Sequence, residues 1–514
     1  MPTYEEAAQS IIKEAIKSAI FIDENAKEPF MQEEPAESKR SEELYKNFKE
    51  NGISLSIYKY DDTTYSSYKN YLFHNRDLVL LDWKLDGNSG EEKSLSILSD
   101  IIKTQPQIHF CVIYTSESTD VVFDNLLSYF SGITKEDCDD IKIEYADLEE
   151  VINKISSDLC DLKRYHLIKN KRKEILRRLY ENVSIAELND KVKNSPSFEY
   201  YDYVRLGIAF CNDVKSQFKE LCPSDITAEK LTLCINNTII SVFNKDQTVA
   251  DQIFDSFSSQ IANYEKGVMH LLGLEMRNMQ RKGSTFIDSA VLSVSKEALG
   301  YHKQQCGNDF SNFVKNIMVE HLKTNISNAE LSILEAIQSR DFQDDSDKKK
   351  EYAAMNVFYN SQRSMEENKP LTFGDVFKYE DKYYICITAL CDCSHPEKRD
   401  NCYYFAEGIE LSSIDKALSK GESGYISYLS SSCCIAWDKK DPNGDYSHIV
   451  PVNYLVPDNH IKTNKLKIHR FRADTVEECE FEYITTIRQN YTQRIANYAF
   501  SHPVRVGIEF VKRT

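Results

Sequence analysis

The stretch Asp77-Leu-Val-Leu-Leu-Asp82-Trp-Lys-Leu-Asp-Gly87 limits the fold more than any other part of the chain. Its apolar residues, Leu78 to Leu81, run without polar alternation and stop at a single carboxylate, Asp82. So short and uniform a run suits a strand covered on both faces, as in a parallel sheet. Open α/β sheets carry their chemistry at the carboxyl ends of such strands, which makes Asp82 a functional candidate at the mouth of a site.

Two further runs end in the same manner. Ser18-Ala-Ile-Phe-Ile-Asp-Glu24 closes on adjacent acids, Asp23 and Glu24, and Ile108-His-Phe-Cys-Val-Ile-Tyr-Thr-Ser116 closes on two hydroxyls, Thr115 and Ser116. As neighbouring parallel strands they would bring three carboxylates and a hydroxyl together. Carboxylates that close repel, and a hard divalent cation such as magnesium relieves the repulsion, taking oxygen ligands while keeping several waters. A carboxylate held beside that cation is suited to attack a phosphoryl group, because the metal neutralises charge on the transferring oxygens.

Phe-Ile-Asp-Glu at 21–24, Leu-Leu-Asp-Trp-Lys-Leu at 80–85 and Val-Ile-Tyr-Thr-Ser at 112–116 resemble the receiver domain of bacterial two-component response regulators. The resemblance covers roughly the first 150 residues, about the size of one domain. It implies an α/β doubly wound domain with a five-stranded parallel sheet. It further implies magnesium bound by Asp23, Glu24, Asp82 and the backbone carbonyl of Lys84, with Asp82 as phosphoacceptor and Thr115 as the switch hydroxyl. An Asp at a strand end is more often a turn or helix cap than a reactive group. The order of three such ends favours the site.

The family's fifth strand ends in a lysine that pairs with the phosphate. The strand expected at Ile141-Lys-Ile-Glu-Tyr145 runs on into Ala146-Asp147, and its one lysine, Lys142, comes too early. That gap supports a competing reading: a pseudo-receiver that is not phosphorylated and serves as a protein-interaction scaffold.

A chain of 514 residues exceeds what one hydrophobic core fills, so several domains are expected. The reading divides it into a receiver-like domain at 1–150, a helical domain at 151–365 and a β-rich domain with a closing helix at 366–514. A net charge of −18 argues against a general nucleic-acid surface. No apolar run is long enough to span a bilayer and the amino terminus lacks a signal-peptide pattern, so a cytoplasmic protein with no membrane partner is expected. Fourteen cysteines scattered through apolar segments read as buried thiols of a reducing compartment rather than a disulfide framework.

Along the chain, residues 4–17 and 41–51 have helical spacing, Ile53 to Tyr60 alternates as an edge strand, and helices are expected at 91–103 and 118–130. The stretch from Asn25 to Ser41 reads as an exposed loop longer than a receiver usually has. A continuous helix is expected from Asp147 to Tyr180, its basic second half a solvated face rather than a nucleic-acid grip. Helices are expected at 226–243, 249–282 and 286–304, with almost no strand signal between Glu181 and Arg363. His270, on an apolar helical stretch, reads as a core histidine before a phosphotransfer group. Asp341 to Lys350 reads as a linker. Strands are expected at Phe373–Tyr379, Lys382–Leu390, Gly424–Leu429, Cys433–Trp437 and Leu466–Phe471, then a helix from Tyr483 to Phe500.

Cys391-Asp-Cys393-Ser-His395 with Cys402 invites a zinc reading, but the spacing is irregular for a structural site, and small buried thiols at a strand end are the plainer account. Thr388 to Asp392 and Arg494 to Gly507 also resemble, loosely, receiver-containing proteins found beside histidine kinases in bacterial phage-defence operons. That resemblance implies a histidine kinase and other signalling proteins of the same operon as partners, with a homodimer as a further arrangement. No Walker loop, hydrolase elbow or nuclease constellation appears past residue 150. The expectation is a two-component-type signalling protein that takes a phosphoryl group on Asp82 as relay or phosphate sink. It is not an enzyme beyond hydrolysing its own acyl phosphate.

Overall fold

In the computed structural model, the described residues are 2–85, 90–104, 107–165, 169–193, 201–211, 226–229, 231–235, 237–250, 252–264, 267–283, 292–306, 310–327, 329–337, 348–362, 368–393, 400–421, 424–440, 447–472 and 475–500. The chain divides into two compact units, 1–338 and 339–514. No helix among the described residues is long and apolar enough to cross a membrane.

The first unit is built on a seven-stranded sheet. Four parallel strands come from its amino-terminal half: β1 (Ser18–Asp23), β2 (Ser54–Lys59), β3 (Leu78–Leu81) and β4 (His109–Thr115). Three more, β5 (Ile226–Glu229), β6 (Thr232–Ile235) and β7 (Thr238–Asn244), follow much later in the chain, and the spatial order is β2-β1-β3-β4-β7-β6-β5. β7 runs parallel to β4, from His109 opposite Thr238 to Thr115 opposite Asn244, whereas β6 and β5 return antiparallel to form the edge. Thus β7 is the fifth parallel strand. The segment 141–145 expected in that role lies in α6 (Lys135–Glu144) and its C-cap Tyr145.

Alternation along the strands sends neighbours to opposite faces. Phe21, Leu80, Val112 and Tyr114 pack on the side covered by α1 (Tyr4–Ala15), α2 (Ser38–Glu50), α12 (Ile253–Ala262) and α13 (Val268–Gly283). Ile22, Leu81 and Ile113 pack on the side of α3 (Asp62–Phe73), α4 (Gly90–Thr104) and α5 (Thr119–Tyr129). All four residues of β3 are buried. Removing each of those side chains from water contributes roughly 1.5–3 kcal/mol, which explains why the run carries no polar alternation.

Between α5 and β5 the chain forms a helical insert with its own core. α6, α7 (Glu149–Lys154), α8 (Ser156–Tyr165), α9 (Lys169–Glu181), α10 (Ala186–Lys193) and α11 (Tyr201–Cys211) gather Ile141, Leu159, Leu179, Leu188 and Leu206 into one cluster. The receiver-like sheet therefore does not end at 150, and the expected continuous helix from Asp147 to Tyr180 is several short ones. The expected helix at 226–243 is the β5-β6-β7 meander. Beyond α13 the described residues hold the helices Lys296–Cys306, Phe310–Ser327 and Ser332–Ala336. The expected helix from 286 lies partly outside the described residues, as does most of the 341–350 run.

In the second unit, strands Asp375–Tyr379, Lys382–Cys386, Cys402–Glu410, Pro451–Leu455, Lys465–Arg472 and Thr475–Ile487 pair in a closed six-membered ring, a small barrel. Phe377, Phe405, Ile468 and Phe481 fill one cluster of its core. The expected closing helix is shorter, Gln489–Ala499, because Tyr483 to Ile487 completes the long barrel strand. A buried ion pair joins Lys369 Nζ to Asp375 Oδ1 at 2.5 Å, and Thr486 Oγ1 donates to the same oxygen at 2.6 Å.

Candidate functional site

The carboxyl ends of β1, β3, β4 and β7 converge on Lys245, the residue immediately after β7. Its ammonium lies 2.8 Å from Asp23 Oδ2 and 2.7 Å from Asp82 Oδ1, and 3.9 Å from Glu37 Oε1. The Lys245 side chain is 4% exposed and Asp23 is buried beside it. The backbone places this lysine: its N–H donates to Thr115 O at 2.7 Å, continuing the β4–β7 ladder by one step. The cation missing from 141–145 is therefore present, supplied from the far side of the helical insert.

Each partner is held by local bonds. Asp82 N–H donates to Ile22 O at 2.9 Å, and the buried hydroxyl of Ser94 on α4 donates to Asp82 O at 2.9 Å. The turn after Asp82 passes close beneath α4: a Cβ on Gly90 would meet Leu85 O at 2.2 Å. Asp23 Oδ1 accepts from Asn25 N–H at 2.7 Å. Thr115 is buried, and its hydroxyl oxygen accepts from Glu117 N–H at 3.1 Å, leaving the hydroxyl proton to donate elsewhere. Lys84 is exposed, with its ammonium 2.7 Å from Glu117 Oε1.

Two buried carboxylates facing one ammonium leave a negative charge uncompensated. Burial pushes the Asp82 carboxyl up to about 6, with Asp23's charge adding to the rise and Lys245 opposing it. Burial works to lower Lys245, but the Asp82 and Asp23 charges outweigh it and hold its pKa above the ordinary value. Desolvation and like charge act together on Asp82, the arrangement that marks reactive carboxylates.

The donor set fits magnesium. That ion is usually held by one or two carboxylates together with waters and phosphate oxygens, and Asp23 and Asp82 already share one cationic centre with charge to spare. Glu24 is half-buried, its Oε1 accepting from Asn25 Nδ2 at 3.3 Å, and it lines a neighbouring cavity of about 790 Å³ with Glu28, Tyr58 and Tyr60. Among the described residues no three His, Cys, Asp or Glu side chains form a ready metal cage.

Of the four zinc candidates only the Cys393 and Cys402 side chains are among the described residues. The Cys393 thiol is buried and donates to Thr388 O at 3.4 Å, beside the buried Cys386, while Cys402 opens a barrel strand. The Cys391 side chain and His395 lie outside the described residues. His270 on α13 is half-buried, with Nε2 3.5 Å from Cys234 Sγ.

Sequence reasoning missed Lys245 and Glu37. The signal for Lys245 was present in Thr238-Ile-Ile-Ser-Val-Phe-Asn-Lys245, another β-branched apolar run ending in a chemically useful residue. Glu37 carried no such signal.

The sheet order and the residues at its carboxyl ends define a doubly wound α/β domain with a buried carboxylate–lysine cluster. Residues 15–147 match the family described as the response receiver domain. Over those residues the chain thus carries a receiver domain, a kind of domain that serves two-component signalling in general. The match ends at residue 147, just past the first helix of the insert, while β7 and Lys245 lie beyond it. No curated protein and no solved structure matches the chain.

Proposed function

We propose that the receiver accepts a phosphoryl group on Asp82 from a phosphorylated histidine of a kinase. The observation that carries this reading is the Lys245 ammonium lying within 2.8 Å of both Asp23 and Asp82. An ionised Asp82 oxygen attacks phosphorus, the histidine N–P bond breaks, and the imidazole regains a proton from water. Magnesium, when bound by Asp23, Asp82 and the Lys84 carbonyl, neutralises charge on the transferring oxygens. Lys245 then pairs with a phosphoryl oxygen and Thr115 donates its hydroxyl proton to another. This local charge change biases α5, which follows Thr115, and β7, which precedes Lys245; the helical insert lies between them in the chain.

In this reading the chain relays or drains phosphoryl groups for a kinase, in an operon such as those of phage defence, and catalyses nothing beyond loss of its own phosphate. The scaffold alternative drew on a missing fifth-strand lysine, and Lys245 removes that ground. The test is incubation with a phosphorylated histidine kinase and magnesium, read by phosphate-affinity gel. Labelling of the wild type and of the exposed-site control Asp61→Asn, with none for Asp82→Asn, is expected. Equal labelling of Asp82→Asn would overturn the assignment.

A further inference from the structure

Glu37 ends the long loop after β1 and occupies the N-cap position of α2, where a side chain ordinarily accepts from the helix's first amides. It makes no such bond. Its carboxylate turns into the site, with Oε1 3.9 Å from Lys245 Nζ and Oε2 in an ion pair with Arg40 Nη1. Glu37 is therefore shared between two cations. The loop is anchored around it: Glu37 N–H donates to Asn25 O at 3.2 Å, and Ser41 Oγ donates to Glu37 O at 2.8 Å while accepting from Lys27 N–H at 3.1 Å.

Arg40 is also held from the opposite side. Its guanidinium lies over the Tyr114 ring at 5.7 Å, and the Tyr114 hydroxyl donates to Thr248 O at 2.7 Å. Tyr114 precedes Thr115, and Thr248 lies three residues past Lys245. The end of the loop and the first turn of α2 thereby touch both strand ends that would sense a phosphoryl group.

Three carboxylates thus compete for the Lys245 ammonium, and one of them, Glu37, has a second cation of its own. An anion arriving on Asp82 needs that ammonium. We propose that Glu37 and Arg40 act as a positioning pair that sets how much of Lys245 is available to a phosphoryl group. Arg40 occupies Glu37 and so leaves Lys245 to the site, while Glu37 restrains Lys245 from engaging the anion fully. The inference rests on the phosphoacceptor reading of Asp82 and gives the long loop a part in that chemistry.

The pair makes an unusual demand on mutants, because its two members act in opposite directions. Glu37→Gln frees Lys245, and Arg40→Met leaves Glu37 to take it. The probe is beryllofluoride, a phosphoryl analogue, titrated into full-length protein in the presence of magnesium. Emission of Trp83, buried next to Asp82, reports binding, with Asp82→Asn as the blank. Relative to wild type, Glu37→Gln is expected to bind about fivefold tighter and Arg40→Met about fivefold weaker, the scale of one charge acting at about 4 Å with full screening by water. The double variant is expected to match Glu37→Gln, since Arg40 acts through Glu37.

A purely structural loss of loop order would weaken binding in both single variants, and that result overturns the proposal. So does an Arg40→Met loss that persists in the Glu37→Gln background, which would mean a direct field of Arg40 on the anion. A wild type that fails to bind beryllofluoride at all removes the phosphoacceptor reading and this inference with it. Wild-type binding unaffected by either substitution removes this inference alone. Both side chains are partly exposed, so the variants are expected to fold.

Discussion

Lys245 and Asp23 stand 222 residues apart in the chain and form a buried ion pair of 2.8 Å. Their meeting depends on β7 lying beside β4, with the whole helical insert looped out between them. The resting site is therefore not an acid cluster awaiting a cation but a carboxylate pair already bridged by one, with a net negative charge left over.

That charge balance makes Asp82 a cost to the resting fold. Its pKa is raised in the folded state, so relative to the unfolded chain it favours folding while protonated and loses that advantage as pH rises through about 6. Above that value the buried carboxylate is ionised and unfavourable. Asp82→Asn should therefore stabilise the protein by about 2 kcal/mol at pH 7.5, a gain that shrinks below pH 6 and vanishes near pH 4. Urea unfolding across pH, in chelator to exclude divalent metal, measures it; a destabilised variant at pH 7.5 would contradict the charge balance.

Lys245→Met should do the reverse. With the ammonium gone, Asp23 and Asp82 face each other unpaired in a buried pocket, and breaking such a group typically costs about 3 kcal/mol. The loss should be largest at neutral pH and shrink as acid protonates the carboxylates. Denaturant titration at pH 7.5 and pH 4.5 checks both the size and the trend.

The placement of β7 predicts where the first unit can be cut. A fragment of residues 1–150 would expose β4 along its whole length and lose Phe257, whose ring packs edge-on against Phe110 at 5.2 Å. It should lack a cooperative urea transition, whereas residues 1–338, the compact unit, should show one through Trp83. A cooperative transition of the short fragment would mean that β7 is dispensable.

In the second unit, Asp375 is fully buried against Lys369. Burial raises its pKa while Lys369 works to lower it. Asp375→Asn leaves the lysine's charge buried and uncompensated, and should cost about 3 kcal/mol in the stability of that unit. Chemical denaturation followed by Trp437 emission reads it directly.

Local pattern alone determined the four amino-terminal strands and the residues at their ends, because an apolar run that stops at a functional side chain is a short-range signal. The same holds for five strands of the barrel unit, where the pleat imposes short apolar runs. Asp23, Asp82 and Thr115 were legible for that reason. What pattern could not decide was which strand comes fifth. The pattern reads Ile141 to Tyr145 as a strand and Thr238 to Phe243 as part of a helix, yet the first packs Ile141 into the helical insert as part of α6, and the second lies against β4. Sheet pairing is settled by burial between segments far apart in the chain, so the position of Lys245, and the sharing of Glu37 between it and Arg40, emerged only with the tertiary structure.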